Sequence, residues 1–188
     1  MTRRRLFIAV NLPENVKNNL FKFREKWPEL ERGTINWVKT QNLHITLAFL
    51  GYQADDEMYK ICQIMQQIGK RHEPFFVKLE RIIAGPPKAT PRMFWAEGEK
   101  SEKLTDLQKD LEETIAGRVY FKQENRAHGP HITLARFKYE AAKKVKERGE
   151  INELLNIKIP VESIELMQSI LKRTGPEYTV LGSVELGE

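Results

Sequence analysis

The chain has 188 residues, 40% hydrophobic and 30% charged, which fits one globular domain or two small lobes sharing a core and leaves no reason to expect disorder. Its formal charge is +5 and its pI about 9.2, a balance that eases the approach of an anionic partner such as RNA without requiring one. Cys62 is the single cysteine, so an intramolecular disulfide and a multi-cysteine metal cluster are excluded, and a reducing cytoplasm is the expected location.

Arg3, Arg4 and Arg5 precede the apolar run Leu6 to Val10. That run stops at Asn11 and Pro13 with no small-residue cleavage pattern, so it reads as a first strand and not as a signal peptide. No apolar stretch approaches the roughly 18 residues that span a bilayer, and no membrane association is expected. Pro13 suits a first helical turn, and Val16, Leu20, Phe23 and Trp27 recur at helical spacing, predicting a helix over 14–27. Ile35 to Lys39 and Leu43 to Leu50 read as strands, the second ended by Gly51. Asp55 and Asp56 favour a helix start, and Met58, Ile61, Met65 and Ile68 continue it to Gly69. Cys62 falls within that pattern as a packing residue, and His72 just after it reads as a surface histidine.

Phe75 to Ile83 is strand-like, GPPKATP (85–91) is a loop by its glycine and prolines, and MFWAEGE looks like a returning strand. Ser101 can cap a helix carrying Leu104, Leu107, Leu111 and Ile115 on one face and ending at Gly117. Val119 to Phe121 is expected to begin another strand, and polar ENRAHGP follows. Residues 140–155 look helical, with Gly149 as a breaker. Ile157 to Leu171 and Tyr178 to Leu186 close the sequence as strands around a KRTGP turn. Strands that follow one another directly favour antiparallel sheet and an α+β fold. If each half supplies a sheet with helices on its outer face, two sheets can meet across a groove.

The sequence repeats itself once: HITLAFLGY begins at His44 and HITLARFKY at His131, 87 residues later, with six of nine positions identical. In a strand, alternate side chains share a face, so His44, Thr46 and Ala48 point one way and Ile45, Leu47 and Phe49 the other. The second copy places His131, Thr133 and Ala135 opposite Ile132, Leu134 and, without a bulge, Arg136. Each strand thus has an apolar face for a core and a face bearing one imidazole and one hydroxyl. If a pseudo-two-fold relation brings the two strands together, two His and two Thr converge in one groove.

Hydrolysis of a phosphodiester needs a base to deprotonate water and an acid to protonate the departing oxygen, and an imidazole pair can serve as both near neutrality. Thr hydroxyls can donate to the non-bridging oxygens, whose charge grows in the transition state. No metal or other cofactor is required. A zinc site would need three or four ligands, and the two motifs offer two histidines without Cys, Asp or Glu at ligand spacing. His128, three residues before His131, cannot form a helical pair with it across Gly129-Pro130. Neither a nucleophile elbow nor a GxxxxGK phosphate loop occurs. A single His-x-Thr on a strand is ordinarily structural, and the duplication is what points to shared chemistry.

With RLFIAVNLP, NLHITLAFLG, PRMFWAEGE, GPHITLARFK and SILKRTGPEYTVLGSVEL in this order, the sequence resembles the 2H phosphoesterase superfamily, and within it the RNA 2′,3′-cyclic phosphodiesterases, also called 2′-5′ RNA ligases. The resemblance implies one bilobal α+β domain over residues 1–188, with two antiparallel sheets facing a central cleft, helices on the outer faces and an internal pseudo-two-fold duplication. It implies that His44 is the proton donor and His131 the proton acceptor, with Thr46 and Thr133 on the substrate phosphate. The implied reaction opens a terminal RNA 2′,3′-cyclic phosphate to a 2′-phosphate, and its reverse would join tRNA halves through 2′-5′ linkages. At Gly129, two residues before His131, the family commonly has a basic residue, for which Arg126 or His128 are neighbouring substitutes. Arg92 and Arg136 are further candidates for phosphate contact. Arg3 to Arg5, Lys143 to Arg148, and Lys172 with Arg173 read as solvated faces that could steer RNA collectively. Two other classes use the same four residues: a cyclic phosphodiesterase of small molecules, and a non-catalytic module that binds RNA ends. A monomer is the default expectation.

Overall fold

The computed structural model describes residues 3–28, 30, 34–85, 90–122, 129–173 and 175–188. The apolar run after Arg5 becomes the strand on which much of the chain's first sheet is built. Strand β1 (Arg3–Asn11) pairs antiparallel with β3 (His44–Ala54) on one side and with β8 (Ser163–Lys172) on the other, and β9 (Gly175–Glu185) pairs with β8. The resulting order is β3-β1-β8-β9. A second sheet contains β2 (Ile35–Trp37), β6 (His131–Phe137), β5 (Met93–Gly98), β4 (Phe75–Gly85) and β7 (Asn152–Val161), in the order β2-β6-β5-β4-β7. Every neighbouring pair is antiparallel, as expected for an α+β fold.

Among the described residues four helices cover these sheets: α1 (Glu14–Phe21), α2 (Asp55–Gly69), α3 (Glu102–Ala116) and α4 (Tyr139–Glu147). Both α2 and α3 pack on the first sheet, although α3 follows a strand of the second. The segment after α1 crosses the opposite way. Phe23 and Trp27 meet Phe94 of β5 at ring-centroid distances of 5.1 and 4.7 Å, and Phe137 of β6 meets it at 4.6 Å. The guanidinium of Arg148, just beyond α4, lies 4.3 Å over the Trp27 ring. These exchanges tie the two sheets into one continuous core, in which Phe94 is wholly buried.

The expected apolar faces are largely the buried ones. Leu104, Leu107, Leu111 and Ile115 of α3 are all buried, and Ser101 Oγ accepts the Leu104 N–H at 3.3 Å as the expected N-cap. In α2, Ile61, Met65 and Ile68 are buried with Ile64, and Cys62 packs partly buried against the same core. His72 is less exposed than its surroundings in the sequence suggest. Its Nε2 lies 2.9 Å from Asp110 of α3, which also takes Arg71 at 3.1 Å, so the end of α2 is pinned to its neighbour.

Several boundaries differ from the sequence expectations. The helix over 14–27 is α-helical only to Phe21 and continues as a 3-10 turn over Lys22–Lys26, tightening the chain so that Phe23 and Trp27 both reach the second sheet. Gly51 does not end its strand; at φ +70° it occupies the left-handed conformation of a β-bulge, and β3 runs on to Ala54. Residues 119–121 are not a strand: Val119 is buried, and the Tyr120 carbonyl is taken by the Gln53 side-chain amide at 3.1 Å in place of a ladder partner. Helix α4 ends at Glu147, Gly149 has φ +94°, and residues 152–155 belong to β7. The stretch 157–171 is two strands, β7 and β8, in different sheets.

Because Phe94 is the ring that residues of the α1 segment, β2 and β6 all meet, Phe94→Ala should lower unfolding free energy by about 3–5 kcal/mol. Phe49→Ala, at a ring left 47% exposed, should change it by only about 0.5 kcal/mol. Chemical denaturation of both variants checks the contrast.

Candidate active site

The two repeated phrases become β3 and β6, one in each sheet, and these strands approach each other where the sheets meet. Ile45, Leu47, Ile132 and Leu134 face the core, each 4% exposed or less. His44, Thr46, His131 and Thr133 instead line one shared cleft of about 2050 Å³. That volume exceeds the range of roughly 300–1,000 Å³ usual for a small-molecule pocket.

Both copies break the simple strand alternation at the same place. On β3, Ile8 pairs with Ala48 and Ala9 with Thr46, leaving Leu47 as an extra residue; on β6, Phe94 pairs with Ala135 and Trp95 with Thr133, leaving Leu134. These are matched β-bulges, and they reverse the parity of the residues that follow, on β3 as far as the second bulge at Gly51. Ala48 and Ala135, expected beside the His and Thr, are therefore buried in the core. Phe49 and Arg136, expected on the opposite face, turn into the cleft. The carbonyls around the bulges have partners: Val38 N–H donates to Leu134 O at 2.9 Å, and the Gln108 amide of α3 lies 3.5 Å from both Thr46 O and Leu47 O.

His44 is held on three sides. Its Nδ1 lies 2.7 Å from the carbonyl oxygen of Asn42, which can only accept, so Nδ1 carries a proton. Its Nε2 lies 3.0 Å from Thr46 Oγ1, and its ring rests 5.0 Å from Phe7 and edge-on at 5.3 Å from Tyr178. Burial pushes the His44 imidazole below its ordinary pKa, the charges of His131 and Lys17 act in the same direction, and the Asn42 carbonyl opposes them. Thr46 thus faces its own motif's imidazole as well as the cleft. His131 sits 5.6 Å from the Trp95 ring, on the strand neighbouring its own.

Seven Lys or Arg side chains against two Glu line the cleft among the described residues, an electrostatic setting suited to a polyanion. Arg92 and Arg136 are among them, and so are Arg5, Lys172 and Arg173 from stretches expected to be solvated. Arg148 has a different task, stacked on Trp27 and donating to the Lys26 carbonyl at 3.2 Å. Arg126 and His128 lie outside the described residues. Near Gly129 a Cβ would come within 3.2 Å of the Gly98 carbonyl, so a larger residue would need a small shift of that strand. Among the described residues, no three His, Cys, Asp or Glu side chains are grouped to hold a metal, and no helix is long and apolar enough to cross a membrane.

Sequence reasoning missed Phe7, Asn42, Phe49, Trp95 and Tyr178 as parts of the site. The repeat carried a signal for Phe49, since it and Arg136 are the first positions at which the two copies differ. Phe7 and Tyr178 carried none, because they reach His44 only through sheet pairing of distant strands.

The family model for LigT-like phosphoesterases matches residues 10–95 and 97–178. An RNA 2′,3′-cyclic phosphodiesterase of Methanocaldococcus jannaschii is 31% identical over 179 residues, covering 94% of this chain and 98% of that protein. The crystal structure of TT0787 of Thermus thermophilus superposes with a TM-score of 0.82 at 30% identity, over 97% of this chain and 98% of that one. Escherichia coli LigT, solved in complex with 3′-AMP, matches with a TM-score of 0.79 at 27% identity over the whole of both chains. With two bulged His-x-Thr strands meeting in one cleft and this agreement along nearly its full length, the chain belongs to the LigT-like family of 2H phosphoesterases.

Proposed function

We propose that this protein hydrolyses terminal 2′,3′-cyclic phosphates of RNA to 2′-phosphomonoesters, using His44 and His131 as an acid-base pair. The observation that carries the reading is the convergence of both His-x-Thr pairs on one cationic cleft. Relatives bearing the name RNA 2′,3′-cyclic phosphodiesterase and a neighbour that binds 3′-AMP support it. In this reading the neutral His131 takes a proton from water, the water oxygen bonds to phosphorus, and the P–O3′ bond breaks. His44 then gives its Nε2 proton to the departing O3′. Thr46 and Thr133 donate to the non-bridging oxygens as charge accumulates there. Both motifs lie in one chain, so residues 1–188 acting as a monomer supply the whole constellation. Joining of tRNA halves through a 2′-5′ linkage would run the same proton transfers backwards.

The deciding experiment is turnover of an oligonucleotide ending in a 2′,3′-cyclic phosphate, with the position of the product phosphate identified. A 2′-phosphate supports the reading, and a 3′-phosphate or no turnover in a folded protein overturns it. A higher specificity constant for a cyclic mononucleotide than for the oligonucleotide would shift the reading to a small-molecule phosphodiesterase. Binding without turnover would shift it to an RNA-end-binding module. Because the acid, base and phosphate donors are all side chains, EDTA should leave the rate unchanged; loss restored by a divalent ion would exclude this mechanism.

The pH profile should be bell-shaped and belong to the two histidines as a coupled pair. Burial holds His44 below its ordinary pKa, so in free enzyme it gives up its proton more readily than an ordinary histidine. A bound phosphate anion favours the imidazolium and raises that pKa. The alkaline limb should therefore lie at higher pH for kcat than for kcat/KM. His44→Ala and His131→Ala should each lower kcat by about 10² to 10⁴-fold, and the double variant should lose far less than the product of the two. Thr46→Ala and Thr133→Ala should cost less.

The bulge that turns Arg136 into the cleft makes it a candidate for contact with RNA phosphate. Arg136→Ala should reduce kcat/KM on a long substrate more than on a cyclic mononucleotide. It should also flatten the logarithmic salt dependence by about one unit. Equal losses and an unchanged slope would remove Arg136 from the RNA path.

A further inference from the structure

The two motif copies are matched at His and Thr, yet two residues before each histidine they diverge: Asn42 in the first copy, Gly129 in the second. Asn42 ends a 3-10 turn, Thr40–Asn42, with its N–H donating to Lys39 O at 2.8 Å. The residue is only 6% exposed, unusual for an asparagine, and Nδ2 donates to the Pro176 carbonyl at 2.9 Å. The peptide carbonyl of the same residue receives His44 Nδ1–H at 2.7 Å. One residue therefore joins the turn, the β8–β9 hairpin and the imidazole. The hairpin contributes again two residues later, where the Tyr178 ring meets the His44 ring nearly at right angles. Gly129 has no side chain to make such a tie; beside it Gly98 N–H donates to Pro130 O at 3.0 Å.

We propose that Asn42 is a positioning residue for His44: its side-chain bond to Pro176 fixes its own carbonyl, which holds the imidazole with Nδ1 protonated and Nε2 directed at Thr46 and the cleft. The two histidines of a near-symmetric pair are thereby made unequal by a residue outside both motifs. This rests on the hydrolytic reading only for its kinetic consequences.

The charged and titratable groups around His44 sharpen the expectation. Lys17 from α1 and His131 from β6 both disfavour the imidazolium, as does burial, whereas the Asn42 carbonyl favours it. Tyr178 from β9 adds an aromatic edge and is itself influenced by Arg136 and Arg5. Freeing the carbonyl removes the favourable contribution, so the His44 pKa should fall further and the Nδ1–H tautomer should lose its preference.

The test uses Asn42→Ala and Asn42→Ser, the second keeping a small polar group in the buried space but too short to reach Pro176. Histidine ¹⁵N NMR of the folded, substrate-free variants should show a mixed His44 tautomer and a pKa lower by roughly half a unit or more. The His131 signals should change less. On a cyclic-phosphate oligonucleotide, kcat should fall by about 10 to 100-fold with KM within about two-fold, the alkaline limb moving to lower pH. In a His44→Ala background, Asn42→Ala should cost nothing further. A wild-type His44 tautomer and pKa in either variant overturns the proposal. So does a kinetic loss that persists in full in the His44→Ala background. The NMR result stands whether or not cyclic phosphates prove to be the substrate, so failure of this inference and failure of the hydrolytic reading are separable.

Discussion

The site depends on one backbone irregularity made twice. A regular strand can offer a cleft only every second residue, and the sequence after each His-x-Thr would then send Ala to the cleft and Phe49 or Arg136 to the core. Inserting Leu47 into β3 and Leu134 into β6 as bulges lets two consecutive apolar residues face inward. The next side chain then turns outward. Burying Arg136 in that core would carry the desolvation penalty of an unpaired charge, so the bulge on β6 resolves a conflict as well as building a site. The bulges also fix the strands at the seam of the sheets, where Val38 and Gln108 reach the carbonyls around them.

The same duplication leaves the cleft asymmetric in chemistry. The β3 side carries aromatic rings, with Phe7 and Tyr178 against His44 and Phe49 against Phe7. The β6 side carries Trp95 beside His131 and Thr133, and turns Arg136 into the cleft further along the strand. In the proposed displacement the two imidazoles must hold opposite protonation states at one moment, and unequal surroundings are a means of separating the behaviour of two identical groups. For His44 those surroundings are burial, neighbouring cations and one backbone carbonyl.

The fold also explains why sequence halves and spatial lobes do not coincide. The segment after α1 packs on the second sheet and α3 on the first, so each sheet's core is completed by helices from the other half of the chain. Neither sheet with only its own connecting helix would bury its apolar face as fully, and the two are correspondingly bound into one cluster around Phe94. That shared core holds β3 and β6 at a fixed separation, which a pair of loosely linked lobes would not.

The sequence by itself determined a good deal. Antiparallel α+β architecture followed from strands in direct succession, the helical faces of α2 and α3 from apolar periodicity, and the meeting of His44, Thr46, His131 and Thr133 in one cleft from a phrase repeated with its context. These are properties of local spacing, and local spacing is written in the chain. Tertiary structure alone decided which residues join them. A bulge is a misfit between two strands and is invisible in either one, so the cleft positions of Phe49 and Arg136 emerged only with the pairings to β1 and β5. Phe7 reaches His44 through sheet order and Tyr178 through a hairpin more than 130 residues downstream, whose Pro176 carbonyl also holds the Asn42 side chain. The split of 157–171 between two sheets had the same origin: alternation specifies a strand, but only competition for partners specifies which sheet it enters.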